Sequence, residues 1–334
     1  MLWRGDFQNA RQLLRALARR AHRSDARQWS GIGERAAASP AEVFNLHRMT
    51  RARRARTLAM LLLPFAADHR VELPRAPDVR EACAQVHGPG NGPYVASLRE
   101  LLGLISAYEW RRTGVEIPAL DARIHPHYGV FSPVRNEYVD LVFHAPLPAA
   151  LAPRSTQRAF DIGTGTGVLA AVLARRGVER IVATDNDRRA LACARENVAR
   201  LGVAARVDVV QSDLYPEGRA ALAVCNPPWV PARPSSPLER GIYDPDSRML
   251  RGFLDGLAAH LIPGGEGWLI LSDLAEHLGL RTRAWLLAAM EAAQLKILGR
   301  TEITPWHPRS ADRTDPLHAA RRAERTSLWR LATA

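Results

Sequence analysis

The stretch FDIGTGTGVL, residues 160–169, combines a short apolar run, a glycine-rich turn and the start of a helix. Glycines let the backbone turn sharply and approach a ligand closely, and a helix start offers N–H groups without helical partners. The stretch is not a P-loop, because no Gly-Lys-Ser/Thr follows it. It also departs from the nicotinamide-dinucleotide fingerprint, because Val168 stands where that pattern needs its third glycine. Taken alone, the pattern is compatible with a ligand site or with an ordinary strand–helix turn.

Short apolar runs and helix-length segments alternate around this stretch. The runs are 159–160, 181–183, 207–210, 222–225 and 268–271, and the helical segments are 168–175, 188–201, 248–261 and 274–293. Alternation of this kind builds a parallel sheet covered by helices on both faces. Two further runs, 295–303 and 327–331, follow without a helix between them and predict an antiparallel hairpin. The second half of the chain is therefore predicted to be an α/β domain with a seven-stranded sheet.

Three segments of the chain differ in their sequence patterns. Residues 1–113 show apolar positions at helical spacing opposite arginines and predict a helical domain. Its apolar segment 58–67 is far shorter than the roughly twenty residues of a membrane span and predicts a buried helix. Residues 114–153 predict a hairpin connector with strands at 115–117 and 128–131, a helix at 136–143 and a proline-containing linker. Residues 154–334 are the predicted catalytic domain.

Composition narrows the class of protein further. The 334 residues are 47% hydrophobic and 24% charged, which excludes global disorder. The net charge of +12 comes almost entirely from scattered arginines, so it leaves nucleic-acid binding open. Three cysteines without a CxxC spacing argue against a disulfide scaffold and a cysteine-based zinc site, and they favour a reducing, cytoplasmic compartment. The first residues also lack the apolar core of a secretory signal.

Acidic residues end the next two strands. Asp185 follows the run 181–183, and Asp213 follows 207–210. Ligands of open α/β sheets bind at the carboxyl ends of the strands, where an acid accepts hydrogen bonds from ribose hydroxyls. Each acid is also a reasonable helix cap. Combined with the glycine turn, the pair favours a nucleoside-containing ligand.

The sequence Asn226-Pro227-Pro228-Trp229 follows the fourth strand. Proline has no N–H and a fixed φ, so Pro227-Pro228 forms a stiff corner that presents carbonyl acceptors and no donors. The side-chain oxygen of Asn226 adds an acceptor, and Trp229 offers a flat face for stacking. A corner that can only accept hydrogen bonds matches a planar NH2 group. The segment 238–251 begins just beyond it and is either a substrate-side loop or a plain connection into a helix.

Together, these motifs resemble those of class I S-adenosylmethionine-dependent methyltransferases. Within that family the sequence resembles the HemK/PrmC-type N5-glutamine methyltransferases of peptide release factors, over roughly residues 120–300. The resemblance implies a Rossmann-like seven-stranded class I methyltransferase sheet preceded by a helical domain and a hairpin. It implies that the three turn glycines line the methionine part of the cofactor, Asp185 its ribose, and Asp213 with Leu214 its adenine. The full cofactor set comprises Asp161, Gly163, Thr164, Gly165, Gly167, Asp185, Asp213 and Leu214.

By the same resemblance, Asn226 and Pro227 hold the acceptor NH2, and Pro228 and Trp229 contact the substrate. The protein is predicted to be an S-adenosyl-L-methionine-dependent N-methyltransferase. The favoured acceptor is a protein glutamine, in a release factor or ribosomal protein. An amino group of adenine or guanine in rRNA, tRNA or DNA is the alternative, and a small-molecule acceptor or a non-catalytic scaffold stays open. We expect no membrane partner. We also expect no metal, because His125 and His127 are better explained by packing. The sequence does not indicate an oligomeric state.

Overall fold

The computed structural model describes residues 1–33, 39–152, 157–236, 239–305 and 312–334, without the side chains of 26–33. This part of the chain divides into two compact units, Met1–Arg112 and Thr113–Ala334. The predicted boundary at 153/154 lies outside the described residues. The predicted connector, 114–153, therefore belongs to the second unit as far as it is described. None of the described helices is both long and apolar enough to cross a membrane.

The first unit contains helices and a small sheet. Its helices are α1 (Phe7–Gly33), α2 (Pro40–Ala59), α3 (Arg80–His87) and α4 (Leu98–Thr113), the last of which ends one residue beyond the unit. Two strands, β1 (Leu62–Phe65) and β2 (Tyr94–Ser97), pair antiparallel. A capping box starts α2: Ser39 accepts the N–H of Glu42, and the Glu42 carboxylate accepts the N–H of Ser39.

The predicted buried helix at 58–67 is wrong. The helix α2 ends at Ala59, and β1 occupies residues 62–65. Pro64 explains the break, because a proline inside a helix removes one hydrogen bond and clashes with the preceding turn. Proline is tolerated in edge strands, and the Pro64 carbonyl still accepts the N–H of Glu72 at 3.2 Å. Leu63 and Phe65 are buried and alternate with half-buried neighbours, as expected for a strand.

The hairpin in the second unit is shorter than predicted. Strands β3 (Val115–Ile117) and β4 (Ala122–Ile124) pair antiparallel through a 3-10 turn at Pro118–Leu120. Residues 128–131, the second predicted strand, are not a strand. Asp121 adopts the left-handed conformation with φ 48°, which closes the turn early, so the strand that pairs with β3 begins six residues before 128. Helix α5 (Glu137–His144) lies within one residue of its predicted position.

The main sheet has seven strands in the order β10-β11-β9-β8-β5-β6-β7, which confirms the predicted fold class. Strands β5 to β9 run parallel, whereas β11 pairs antiparallel with both β9 and β10. The strands are β5 (Arg158–Ile162), β6 (Arg180–Asp185), β7 (Val207–Gln211), β8 (Ala220–Cys225), β9 (Leu261–Ser272), β10 (Leu295–Ile303) and β11 (Thr326–Thr333). The helices that follow α5 are α6 (Val168–Arg175), α7 (Arg188–Arg200), α8 (Arg248–His260), α9 (Leu274–His277), α10 (Arg283–Ala292) and α11 (His318–Ala323).

Two details of this layout differ from the prediction. The segment 274–293 forms two helices, α9 and α10, because Gly279 takes φ 66° and ends the first. Helix α11 lies between β10 and β11, where no helix was predicted. None of the six residues of α11 is buried, so its sequence carries no apolar periodicity.

The core lies on both faces of the central strands. Ala159 and Val224 pack in a cluster that includes α5, α6 and α7, whereas Phe160 and Ala223 pack against α8 and α10. All six residues of β8 are buried, as expected for a central parallel strand. Because β6 and β7 extend the sheet to one side of β5 and β8 and β9 to the other, the strand order reverses at β5. Ligand clefts of α/β sheets lie at such a reversal.

Candidate functional site

A cavity of about 670 Å³ opens at the carboxyl ends of β5, β6, β7 and β8. Ten of the twelve predicted site residues line it: Gly163, Thr164, Gly165, Asp185, Asp213, Leu214, Asn226, Pro227, Pro228 and Trp229. The other two, Asp161 and Gly167, do not line the cavity. The motifs that are 66 residues apart in the sequence, from Gly163 to Trp229, therefore meet in one place.

The glycine turn between β5 and α6 explains why glycine is required there. Gly163, Gly165 and Gly167 have φ values of 72°, 55° and 81°, which side-chain-bearing residues rarely adopt. A Cβ on Gly165 would have nothing within 4 Å, so a ligand can approach this stretch of backbone. A Cβ on Gly167 would lie 3.2 Å from the Cα of Ala194 in α7. Gly167 thus allows α6 and α7 to pack closely and lies away from the cavity.

Asp161 stabilises the glycine turn through hydrogen bonds. Its carboxylate accepts hydrogen bonds from the Thr164 hydroxyl at 2.6 Å and from the Ala170 N–H at 3.0 Å. The residue is 1% exposed. Burial raises the pKa of Asp161 to about 6, although both hydrogen bonds favour the charged form and lower it. Asp161 therefore joins β5, the turn and the first turn of α6 and has no open path to a ligand.

Asp185, at the end of β6, faces the cavity and also shapes the turn. Its carboxylate accepts the N–H of Gly165 at 3.1 Å and the N–H of Asp187 at 2.9 Å. Burial raises the pKa of Asp185 above its ordinary value, although these two hydrogen bonds lower it. An ionised carboxylate has about four acceptor positions. Acceptor capacity of this carboxylate therefore remains for hydroxyl donors of a ligand.

Asp213 and Leu214 end β7 at the same rim. Asp213 is exposed, and its carboxylate accepts a hydrogen bond from Arg248 at 2.5 Å. Leu214 has φ 77°, and its carbonyl accepts the Thr184 hydroxyl at 2.6 Å. The strained backbone at Leu214 turns the chain away from the sheet and leaves the Asp213 side chain at the cavity mouth.

The corner at residues 226–229 has a feature that the sequence did not predict. The indole Nε1–H of Trp229 donates to Oδ1 of Asn226 at 2.8 Å. The predicted role of Asn226 needs that oxygen as an acceptor, and an amide oxygen has two lone pairs, so one remains. The Trp229 carbonyl in turn accepts from Arg281, which is 7% exposed, at 3.2 Å. The corner is thus held from two sides.

Several cavity residues were not among the predicted site residues. Arg135 and Tyr138 come from the connector, and Arg321 comes from α11. The segment 239–249 also lines the cavity, in the position of the predicted substrate-side loop, whereas Leu238 lies outside the described residues. Asp244 in this segment is buried and accepts the N–H groups of Met249 and Leu250 at the start of α8. No local motif marks these residues, because their positions depend on contacts between distant elements.

The two histidines of the HxH sequence lie away from this cavity. His127 contacts Glu196 through Nε2 at 2.8 Å, and the backbone N–H of His125 donates to Asn197 at 2.8 Å. Within the described ranges, no three His, Cys, Asp or Glu side chains are grouped as metal ligands.

The cavity residues named above, apart from Arg321, lie in a part of the chain that matches known proteins. Residues 121–277, just under half of the chain, match the family model described as methyltransferase small domain. A ribosomal protein L11 methyltransferase of Pelotomaculum thermopropionicum is 38% identical over 149 residues, which are 44% of this chain and 41% of that protein. A release factor glutamine methyltransferase of Cereibacter sphaeroides is 36% identical over 168 residues, which are 46% of this chain and 58% of that protein. The chain spans about half the length of the curated relatives it matches.

Solved structures also resemble part of this chain. A geranyl diphosphate methyltransferase in complex with SAM superposes with a TM-score of 0.45 at 12% identity, covering 60% of this chain and 86% of that chain. A ribosomal protein L11 methylase from Lactobacillus delbrueckii subsp. bulgaricus gives a TM-score of 0.42 at 17% identity, covering 64% and 86%.

Proposed function

We propose that this chain is an S-adenosylmethionine-dependent N-methyltransferase whose acceptor is a planar NH2 group. The observation that carries the proposal is one cavity with acidic strand ends on one wall and, on another, Asn226 followed by two prolines that have no N–H to donate. All twelve predicted site residues fall inside the region that matches the methyltransferase small domain, residues 121–277.

The wall that contains Gly165, Asp185 and Asp213, here called the cofactor wall, fits S-adenosylmethionine in size and chemistry. A volume of about 670 Å³ lies within the range of roughly 300–1,000 Å³ that small-molecule sites occupy. The open side of Gly165 lets the cofactor contact the backbone. Asp185 retains acceptor positions for the two ribose hydroxyls, and Asp213 is exposed at the mouth for the adenine amino group.

The mechanism follows from the hydrogen-bond acceptors of residues 226–229, here called the acceptor corner. S-adenosylmethionine, when bound, supplies a methyl group on a positively charged sulfur that departs as a neutral thioether. Asn226 Oδ1 and the Pro227 carbonyl accept the two hydrogens of the acceptor NH2. These hydrogen bonds orient the nitrogen and raise its electron density while the new N–C bond forms and the methyl–sulfur bond breaks. Orientation of this kind lowers the barrier by several kcal/mol, up to about 7–11 in ideal intramolecular systems. The methylated nitrogen then loses one proton to solvent.

A protein glutamine is the acceptor that we favour. Its carboxamide NH2 is planar and donates two hydrogen bonds, which complements the two acceptors of the corner, Asn226 Oδ1 and the Pro227 carbonyl. The release factor glutamine methyltransferases among the relatives are 36% and 34% identical over the matched region. The ribosomal protein L11 methyltransferases, at 38% for the first of them, also support a protein acceptor.

To test the proposal, the protein is incubated with tritium-labelled S-adenosylmethionine and one of three acceptors: a bacterial release factor, ribosomal protein L11 or total RNA. Label in the release factor, located by mass spectrometry on a glutamine side chain, supports the proposal. Label on an amine of L11 overturns the carboxamide acceptor, and the absence of label from all three acceptors overturns the assigned reaction.

A nucleobase amino group is the second candidate, because an exocyclic NH2 presents the same two donors. The distribution of charge favours it: residues 1–112 carry 19 arginines and 10 acidic residues, a net +9 of the total +12. Polyanions bind such surfaces with a strong dependence on salt. After incubation with cell extract and labelled cofactor, removal of the label by nuclease supports this candidate, and removal by protease supports the glutamine acceptor.

A further inference from the structure

Arg135 is held by two buried carboxylates. Its Nε–H donates to Glu137 at 3.0 Å, and one terminal NH2 donates to Glu324 at 3.1 Å. The side chains of Glu137 and Glu324 are 10% and 3% exposed. Glu324 also accepts the Ser272 hydroxyl at 2.6 Å, which fixes its carboxylate at the end of β9. The guanidinium therefore has a defined position, although its two anchors are 187 residues apart in the chain.

The guanidinium lies over the face of Trp229, with its central carbon 5.4 Å from the ring centroid. Both side chains line the cavity. A cation at this distance is attracted to the indole face and draws electron density from the ring. The same indole donates its N–H to Asn226 Oδ1 at 2.8 Å. Arg135 thus acts on the ring whose N–H contacts the acceptor corner.

This N–H decides which way the amide of Asn226 points. The oxygen and nitrogen ends of an asparagine amide are nearly equal in shape, so only hydrogen bonding distinguishes them. Rotating the amide by half a turn would bring its NH2 against the indole N–H, donor against donor. With Trp229 in place, the oxygen faces the indole and keeps one lone pair for the substrate.

We propose that Arg135 is a positioning residue that acts through Trp229, holding the indole so that its N–H fixes Asn226 with the oxygen available to the substrate NH2. The role assigned to Asn226 rests on the proposed function, whereas the link from Arg135 to Trp229 to Asn226 is independent of it. The competing explanation is that the Arg135 ion pairs only join the connector to the sheet. That explanation predicts a loss of stability and no effect on the indole or on turnover.

The first arm of the test needs no substrate. Two-dimensional NMR of protein labelled with ¹⁵N-tryptophan records eight indole N–H signals, and Trp229→Phe identifies the one from Trp229. We expect Arg135→Gln to shift this signal and to speed its exchange with water. Arg283→Gln is a matched control, because Arg283 lies over the ring of Trp329 at the same 5.4 Å. An unchanged Trp229 signal in Arg135→Gln overturns the proposal.

The second arm measures turnover with the acceptor identified above. We expect Arg135→Gln to lower kcat about tenfold, as an indirect loss of transition-state alignment does, with the KM for S-adenosylmethionine within about twofold of wild type. Trp229→Phe should lower kcat similarly, and the double variant should lose no more than the larger single effect, because the two residues act as one unit. Independent, multiplying effects, or an unchanged kcat, overturn the positioning role.

Folding is checked by thermal unfolding of each variant, and Arg135→Lys provides a second variant that retains the cation. We expect Arg135→Lys to recover part of kcat, because the charge over the indole remains while the fork to the two carboxylates is lost. No recovery in a folded Arg135→Lys protein contradicts the action through the indole. If wild type methylates none of the acceptors, the proposed function fails, and the NMR arm still decides the link from Arg135 to Trp229.

Discussion

Replacing Asp161 with asparagine should change how the stability of the protein depends on pH. Burial raises the pKa of this carboxyl from 3.8 to about 6. In the unfolded chain the group titrates near its ordinary value, so between pH 4 and 6 the folded state holds a proton that the unfolded state has released. Stability falls with rising pH wherever the folded state binds more protons. The contribution of Asp161 is therefore fully present below about pH 4 and lost as the pH rises through about 6.

The size of this effect follows from the shift in pKa. A difference of about two units, at 1.36 kcal/mol for each unit, gives about 3 kcal/mol between acidic and neutral pH. Asparagine has nearly the same shape, and its amide oxygen in the place of Asp161 Oδ2 still accepts both the Thr164 hydroxyl and the Ala170 N–H. Asp161→Asn should thus gain about 3 kcal/mol relative to wild type as the pH rises from 4 to 7.

Urea unfolding at half-unit steps from pH 4 to 7.5, followed by circular dichroism, measures this difference. Asp208→Asn is the control, because Asp208 is exposed in β7 and its replacement removes the same charge. Parallel stability curves for wild type and Asp161→Asn would refute the assignment of a raised pKa to Asp161. An equal pH-dependent gain in Asp208→Asn would attribute the effect to net charge rather than to burial.

The remaining predictions concern the turn, the cofactor wall and the acceptor corner. Gly167→Ala should lose about 2–3 kcal/mol in urea unfolding, from a φ of 81° and a Cβ forced against α7, whereas Gly177→Ala, at φ 92° with open space, should lose only about 1 kcal/mol; equal losses would contradict the packing role of Gly167. Asp185→Asn should weaken S-adenosylmethionine binding about 10- to 100-fold by calorimetry, because hydrogen bonds to a charged acceptor contribute roughly 1.5–3 kcal/mol; an affinity equal to that of Asp208→Asn would remove Asp185 from the site. Asn226→Ala should reduce methyl transfer about 100-fold while the cofactor still binds, by analogy with the loss of one preorganised hydrogen bond to a transition state; wild-type turnover would show that Asn226 does not hold the acceptor.

Local patterns were sufficient to predict the central part of the fold. Helix α6 begins at Val168 and ends at Arg175, as predicted, because a glycine turn precedes it and its apolar residues continue without interruption. The central strands β5 and β8 were recognisable because parallel strands buried on both faces are continuous apolar runs. The acids at the ends of β6 and β7 and the proline corner after β8 share one rim, since parallel strands end on the same side of a sheet.

Features that depend on long-range packing were not predictable from local sequence. Arg135 is held at the cavity in part by Glu324, which lies 189 residues later in the chain and accepts its hydrogen bonds. The break between α9 and α10 brings Arg281 to the carbonyl of Trp229, 52 residues earlier. Asp161 was assigned to the cofactor from its place in a motif, whereas its side chain points toward α6. A strand-end acid has two faces to choose from, and the periodicity of the strand alone does not say which face opens to the ligand.

The two walls of the cavity are held in different ways, and this difference fits their proposed tasks. On the acceptor wall, Trp229 is fixed by Asn226 at its N–H, by Arg281 at its carbonyl and by Arg135 at its ring. Two of these three side chains are arginines largely removed from solvent, so the corner is preorganised and does not need to reorganise during the reaction.

On the cofactor wall, the contacts are exposed and exchangeable. Arg240 lies 3.8 Å from Asp187, Arg248 lies 2.5 Å from Asp213, and the side chains of both arginines are more than 60% exposed. Exposed ion pairs contribute roughly 0–1 kcal/mol, so a ligand can replace them at little cost. A wall that admits and releases the cofactor at each turnover benefits from weak contacts, whereas a wall that aligns a poorly nucleophilic nitrogen benefits from rigid ones. The segment 239–249, which contributes both arginines and lies against the cofactor acids, is therefore where we expect the protein to respond first when S-adenosylmethionine binds.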